Sequence, residues 1–156
     1  NVYGGSLCLM KDILFCSCFD VSNHQNNWKE SSLRKLLKST FCNLIGHTDM
    51  FVPFNRDLIT DDGMLEYGSC TDIVSLLTYD EYRKYRKLIP YCKKSYWTIT
   101  AESVSDSGIV RSVYPDGGLS TDFVDFLNCG VRPLIVLKDD TYVDRLCETG
   151  ELYYDF

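Results

Sequence analysis

The sequence has no apolar run long enough to cross a membrane, and it has no excess of positive charge. Its 156 residues include 16 Lys and Arg against 22 Asp and Glu, a formal net charge of -6. A membrane-spanning helix needs about 20 consecutive apolar residues, so we expect no membrane insertion. A nucleic-acid surface needs clustered Lys and Arg, and we interpret the clusters at 83–87 and 93–94 as a solvated helix face. We therefore expect no nucleic-acid partner.

Motifs of familiar enzymes are also missing. No G-x-S-x-G elbow positions a serine nucleophile, and the two histidines, His24 and His47, lie in polar segments. No glycine-rich phosphate loop is present, because Gly117-Gly118 is typical of a hairpin turn and Gly4-Gly5 precedes no helix. We predict no catalytic residue, no cofactor and no enzymatic activity. A hydrolytic or modifying enzyme is the alternative interpretation.

Eight cysteines are present, an even number that suits either disulfides or packed thiols. Cys16 and Cys18 lie in the apolar run 13–19 on one face of a predicted strand, where free cysteine behaves as a small hydrophobe. Cys42 follows Phe41 in a predicted helix. These neighbours favour reduced thiols, which are typical of a reducing compartment.

Three cysteines and two histidines between positions 16 and 47 raise the question of a zinc site, because thiolate and imidazole are the ligands that zinc prefers. The candidate ligands are Cys16, Cys18, His24, Cys42 and His47. Structural zinc sites usually have two cysteines separated by two to four residues. Here the closest pair is C-x-C in a predicted core strand, so we predict no metal.

Two helices are predicted ahead of a β-rich region. The first has Asn27 or Ser31 as its N-terminal cap and ends near Gly46, which suits a left-handed stop. Its apolar residues follow the spacing of one buried stripe: Leu33, Leu36, Leu37, Phe41, Leu44 and Ile45.

The second helix is predicted to begin at Thr78, which forms a capping box with Glu81, and to stop at Pro90. The side chains that could face the core are Tyr79, Tyr82, Leu88 and Ile89. Short strands follow, with a hairpin turn at 115–118. An acidic, Tyr-rich segment, 139–156, ends the chain.

Five collinear blocks between residues 13 and 138 resemble an uncharacterised domain family of bacteria and their phages. The blocks are N-N-W-x-x-S-S-L-R from Asn26, L-L-T-x-x-E from Leu76, Tyr96-Trp97, V-x-x-D-G-x-L from Val113, and G-V-R-P from Gly130. The resemblance implies an α+β, C-type-lectin-like fold, with two helices packed on a small, mainly antiparallel twisted sheet with long loops. It implies a domain at 1–138, with 139–156 as an extension packing on the domain or on a neighbour.

Two activities associated with this fold do not carry over to the chain. The E-P-N or Q-P-D and W-N-D motifs of calcium-dependent sugar binding are missing, so recognition is expected to be metal-free. The reactive cysteine pair of a related oxidase family is also missing, since only Cys129 lies near the G-V-R-P block.

In this fold the segment between Tyr96-Trp97 and G-V-R-P usually builds the surface that contacts a partner. Short polar residues with a Tyr and an Arg suit such a surface, although an ordinary polar loop is the alternative. The candidate binding residues are Glu102, Asp106, Arg111, Tyr114 and Asp116. They lie outside the predicted apolar stripes, so we expect their replacement to cost little stability. Trp28, Trp97 and Arg132 are assigned structural roles.

The resemblance favours a non-enzymatic recognition or structural module. The leading interpretation is a phage virion component, such as a head decoration, fibre or tail domain, assembled in the bacterial host cytoplasm. Its expected partners are virion subunits or a host-surface glycan or protein, and it could form a homo-oligomer. A third interpretation is an intracellular protein that binds a host factor.

The cysteine analysis makes a direct prediction. Thiol titration of the denatured protein without reductant should recover close to all eight thiols, because reduced cysteines are the rule in a reducing compartment. A chelator should leave the melting temperature unchanged. Recovery of about half of the thiols, or a large chelator effect, would contradict the expectation.

Overall fold

The computed structural model describes residues 3–46 and 48–139, together with the backbone of short strands at 144–145 and 152–153. His47, Cys147 and most of the predicted extension 139–156 lie outside the described residues. The boundary predicted at 138/139 therefore stays a prediction.

The first helical region contains three consecutive pieces. A 3-10 turn at Trp28–Glu30 precedes the α-helix Ser32–Leu36, which continues through a π turn at Leu37–Phe41 into Cys42–Ile45. Both predicted caps are used: Asn27 accepts from the Lys29 backbone N–H, and Ser31 from that of Arg34. The helix ends at Gly46, whose φ of 72° is left-handed, as predicted.

The buried stripe of this helix is narrower than predicted. Leu33, Leu37 and Phe41 are buried and are spaced four residues apart. The π turn at Leu37–Phe41 is wider than an α-helical turn, so side chains at this spacing stay on one face. Leu36 and Leu44 are 38% and 77% exposed, so the prediction was wrong for both. They flank the buried row instead of lying on it.

The second helix, Tyr79–Tyr85, has the predicted capping box. Thr78 Oγ1 accepts from Glu81 N at 3.0 Å, and Glu81 Oε2 accepts from Thr78 N at 2.8 Å. Tyr79 and Tyr82 are buried, as predicted. The helix ends five residues before Pro90, and Leu88 is 80% exposed, contrary to prediction. Proline disfavours the helical conformation in the residue before it, and the chain passes into turns.

The largest sheet has five strands. Its order is β2-β9-β6-β7-β8, antiparallel except for the parallel pair β6 and β9. The predicted hairpin at 115–118 joins β7 to β8, where Tyr114 N donates to Gly118 O and Gly117 has a φ of 77°. The strands are β2 (Phe15–Cys16), β6 (Tyr96–Ala101), β7 (Ile109–Val113), β8 (Leu119–Phe123) and β9 (Gly130–Val131).

The sheet predicted as one unit is divided. An antiparallel three-stranded sheet has β10 (Leu134–Leu137) between β1 (Ser6–Leu9) and β5 (Val74–Ser75). Strands β3 (Phe54–Asp57) and β4 (Ser69–Asp72) form a separate pair, as do β11 (Asp144–Arg145) and β12 (Leu152–Tyr153). Two helices with mainly antiparallel strands make the chain α+β. Among the described residues, no helix is both long and apolar enough to span a bilayer.

Two buried tryptophans pack on the Phe19 ring in the core. Trp97 is fully buried and donates from Nε1 to Ser17 O at 2.8 Å, and Trp28 donates to Asp72 Oδ2 at 2.8 Å. The Phe19 ring lies between them, with centroids 5.7 Å from Trp97 and 5.8 Å from Trp28. The structural role assigned to both tryptophans is confirmed.

Trp97→Ala should lower the free energy of unfolding by roughly 3 to 5 kcal/mol, the usual cost of emptying a large buried aromatic site. Urea denaturation measures the loss. Leu127, which is 72% exposed, offers a control, because Leu127→Ala should change stability by less than about 0.5 kcal/mol. A Trp97→Ala melt equal to the control would place Trp97 on the surface.

Candidate ligand-binding surface

The five candidate binding residues fall into two groups at opposite ends of β7. Arg111 Nε lies 2.8 Å from Glu102 Oε2, and Asp106 lies in the loop that leads into β7. Tyr114 and Asp116 lie beyond the other end of β7, in the hairpin. Because a strand rises about 3.3 Å per residue, the two groups do not form one compact site.

Arg111 belongs to an ion-pair network that the sequence did not reveal. Its Nη2 lies 2.6 Å from Asp61 Oδ2, and Arg83 Nη2 lies 3.2 Å from Asp61 Oδ1. The Tyr79 ring packs against both guanidinium groups, at 5.2 Å from Arg111 and 4.4 Å from Arg83. Since Arg111 and Glu102 hold each other in place, replacing them carries a stability cost that the sequence did not suggest.

A buried asparagine holds the loop before β7. Asn26 is fully buried, and its Nδ2 lies 2.9 Å from the carbonyl oxygens of Ser103, Asp106 and Ile109. Its Oδ1 accepts from the Tyr67 hydroxyl at 2.7 Å. One amide thereby ties the two ends and the middle of loop 103–109, while side chains at 105–107 stay exposed. A buried group with this many partners gives the loop one conformation.

Asp20 orders the loop that contains Asn26. Its carboxylate, 1% exposed as a residue, accepts backbone N–H groups of Ser22, Asn23, Gln25 and Ser32 at 3.1 to 3.2 Å. Burial acts to raise the pKa of Asp20, but the four N–H donors outweigh it and lower the pKa. The ionised carboxylate is therefore the form that supports the loop.

A polar cavity of about 330 Å³ lies beside the Asp61–Arg83 ion pair. Buried Arg56 contributes to its wall and makes two 2.7 Å hydrogen bonds to Glu81. Burial acts to raise the pKa of Glu81, but the bonds from Arg56 hold it below its usual value. The remaining polar lining residues are Tyr3, Asn55, Asp57, Thr60, Asp61, Thr78, Tyr79, Asp80, Arg83 and Thr100. Hydroxyl, amide and carboxylate groups of this kind can bind a ligand rich in hydroxyls.

The hairpin end is anchored to the second helix. The Tyr82 hydroxyl donates to Gly117 O at 2.9 Å, and Asp116 Oδ1 accepts from Gly118 N at 2.8 Å. A Cβ at Gly117 would lie 2.5 Å from Tyr91 Cε1, so the Tyr91 ring packs on the turn. Tyr114 is 45% exposed. Of the hairpin candidates, Tyr114 is therefore available to a partner, whereas Asp116 supports the turn.

The cysteines and histidines do not assemble into a site within 3–46 and 48–139. Cys16, Cys18, Cys42, Cys70, Cys92 and Cys129 are free thiols, and burial raises the pKa of the Cys129 thiol. Within those ranges no three His, Cys, Asp or Glu side chains are placed to hold a metal ion. His24 is exposed, with a φ of 51°. The zinc ligands considered from the sequence, as far as they are described, therefore do not converge.

Sequence reasoning missed Asn26, Asp20 and Asp61 as parts of this surface. Asn26 appeared in the sequence only as the first residue of a block that carries the resemblance, and no local signal marks its amide as buried. No protein-family model, curated protein or solved structure matches the chain. The functional argument therefore depends on the geometry.

The pKa of Asp20 predicts a pH effect. A lowered folded-state pKa stabilises the protein above the ordinary aspartate value of about 3.9, and this contribution is lost as the pH falls below it. The free energy of unfolding should therefore drop between about pH 5 and about pH 2.5. Asp20→Asn should be less stable at neutral pH and show a shallower drop. Denaturant titrations across this range test it, and parallel curves for the two proteins would contradict it.

Proposed function

We propose that the chain is a non-enzymatic recognition or structural module on a C-type-lectin-like scaffold. It is a phage virion component, such as a head decoration, fibre or tail domain, that binds a host surface or a neighbouring subunit. The observation that carries this proposal is the polar loop 103–109 and its attachment to Asn26. A surface loop already held in one conformation loses little entropy when it binds.

The loop, the Arg111 network and the polar cavity adjoin one another. Asp61 N donates to Ala101 O at 2.9 Å, and Glu102 N donates to Ile109 O at 3.1 Å. The first bond joins the cavity wall to the end of β6, and the second closes the base of the loop. This continuity supports one binding surface built from the loop and the cavity rim.

The chemistry of this surface suits a polar partner. Carboxylates, hydroxyls and an amide alternate around the cavity, and Arg83 supplies a charged donor at its edge. Host-surface glycans and polar protein surfaces offer the complementary donors and acceptors. The proposed partners are therefore a host-surface glycan or protein, or another virion subunit.

The direct test replaces exposed loop residues that make no described side-chain bond. Asp106→Arg/Ser107→Arg should reduce attachment of labelled protein to a panel of bacterial cells and isolated cell-wall glycans by about tenfold or more, because two bulky cations cover the loop. Flow cytometry and biolayer interferometry measure the attachment, and circular dichroism confirms folding.

The matched control is Asp49→Arg/Asn43→Arg, which makes the same charge change at two exposed positions on the first helical region and the turn after it. It should bind like the unaltered protein. Undiminished attachment of the folded loop variant would refute the loop surface. Release of soluble product from the glycan panel would favour the hydrolytic alternative.

A further inference from the structure

Positive charge is concentrated in one segment of this acidic chain, residues 83–94, which we call the basic segment. It contains six Lys and Arg and no acid, whereas the rest of the chain has the remaining ten Lys and Arg against all 22 Asp and Glu. The six cations are Arg83, Lys84, Arg86, Lys87, Lys93 and Lys94, and all are exposed.

Most of these cations have no acidic partner within the described part of the chain. Arg83 pairs with Asp61 and Asp80. Among the residues described, no carboxylate lies within ion-pair distance of Lys84, Arg86, Lys87 or Lys93. Within the described residues, no ion pair therefore neutralises these four charges.

A cavity of about 640 Å³ borders the basic segment. It lies between β1, β10 and the turns that follow the second helix, and we call it the groove. Its apolar lining residues are Leu7, Leu9, Leu77, Leu88, Ile89 and Leu134. Leu88 is 80% exposed at this position, so its side chain is accessible to a ligand in the groove.

Within the described residues, the groove borders the edge strand of the three-stranded sheet. Strand β1 pairs with β10 on one side and is the edge strand of its sheet. Gly5, Ser6 and Leu7 all line the groove. Leu7 and Leu9 lie on one face of this sheet, and Leu134, opposite Leu9 on β10, lies on the same face, so the groove covers that face beside β1. Edge strands with free backbone groups bind extended peptides by adding a strand.

We propose that the groove binds an extended acidic segment with large apolar side chains, supplied by a neighbouring protein. Its backbone would pair with β1, its apolar side chains would contact the leucines, and its carboxylates would meet Lys84 and Lys87. The chain's own described strands β11 and β12 pair with each other and not with β1, which favours a segment from another protein. This inference goes beyond the loop surface proposed above and stands without it.

A protein segment suits the groove better than the other polyanions do. Single-stranded nucleic acid binds through stacking on several aromatic side chains beside cations, whereas Tyr85 is the one aromatic residue among the described residues that line this groove. An anionic membrane would contact a convex apolar face, not a cavity along a strand edge. The free edge of β1 is a feature that only a peptide backbone uses.

The test titrates full-length protein into a fluorescein-labelled synthetic peptide in which Glu alternates with Leu and Tyr. Fluorescence anisotropy should show saturable binding that is weakened when Gln replaces each Glu. Lys84→Glu/Lys87→Glu should weaken binding about tenfold or more, because it places like charges opposite the peptide. The control Lys29→Glu/Lys35→Glu makes the same charge change at exposed positions of the first helical region and should alter binding less than about twofold.

The apolar contact has its own matched pair. Leu88→Ser should weaken peptide binding, whereas Leu65→Ser, at a residue 67% exposed elsewhere, should not. Both side chains are exposed, so neither variant should unfold the domain.

Three results would overturn the proposal. Full-length protein that shows no saturable binding would mean that the groove is empty or filled by the chain's own tail. Equal losses for the two charge-reversed variants would show unspecific attraction. Tighter binding of duplex DNA or phosphatidylglycerol vesicles than of the peptide, with the same dependence on Lys84 and Lys87, would identify nucleic acid or membrane as the ligand.

Discussion

The buried guanidinium of Arg132 is the interaction on which both larger sheets depend. The run Gly130–Leu137 gives the interior strand β9 to one sheet and the central strand β10 to the other. Arg132 lies at the passage between them, 1% exposed, and donates to the carbonyls of Met10, Lys11 and Pro90 at 2.7, 2.8 and 3.1 Å. One charged side chain thereby links residues 10–11 and Pro90 to the passage between the two sheets, and a hydrogen bond to a charged group contributes about 1.5 to 3 kcal/mol. The structural role predicted for Arg132, either pairing with a carboxylate or capping carbonyls, is confirmed in the second form.

This contact also positions the proposed groove. Pro90 lies in the basic segment, and Met10 and Lys11 follow β1 directly. Arg132 therefore joins two walls of the groove, and its guanidinium packs against the Tyr96 ring at 5.2 Å. Because Tyr96 begins the central strand β6, the groove is connected to the rigid part of the fold. Its shape should not depend on a ligand.

The sequence predicted the features that depend on neighbours a few residues away. The Thr78–Glu81 capping box, the left-handed stop at Gly46 and the hairpin at 115–118 are all confirmed. The prediction that Leu44 is buried was wrong because periodicity shows which face is apolar but not how wide the buried row is, and the prediction for Leu88 was wrong because the helix ends at Tyr85. Apolar residues just outside the row have the same spacing signal.

Long-range polar contacts could not be predicted in this way. Asn26 lies 77 to 83 positions from the carbonyls that it holds, and nothing local marks it as buried. Asp61 is 50 positions from Arg111. Proximity in sequence also misled the grouping of the candidate residues. Glu102 and Arg111 meet across a hairpin, whereas Tyr114, three positions from Arg111, lies beyond the far end of β7.

Net charge gave a similarly incomplete view of the surface. A value of -6 averages over the whole chain, but electrostatic attraction in physiological salt acts over about 8 Å. A ligand at the basic segment therefore meets its cations more closely than most of the acids, apart from Asp61 and Asp80, which pair with Arg83, and Asp139, which lines the groove. From the sequence, the Lys and Arg clusters at 83–87 and 93–94 were interpreted as a solvated helix face. The sequence did not show that leucines of β1 and β10 line a cavity beside the basic segment. The cations favour a ligand with carboxylates, the apolar cavity favours large apolar side chains, and the edge strand β1 favours a peptide backbone. An acidic peptide segment with apolar side chains has all three.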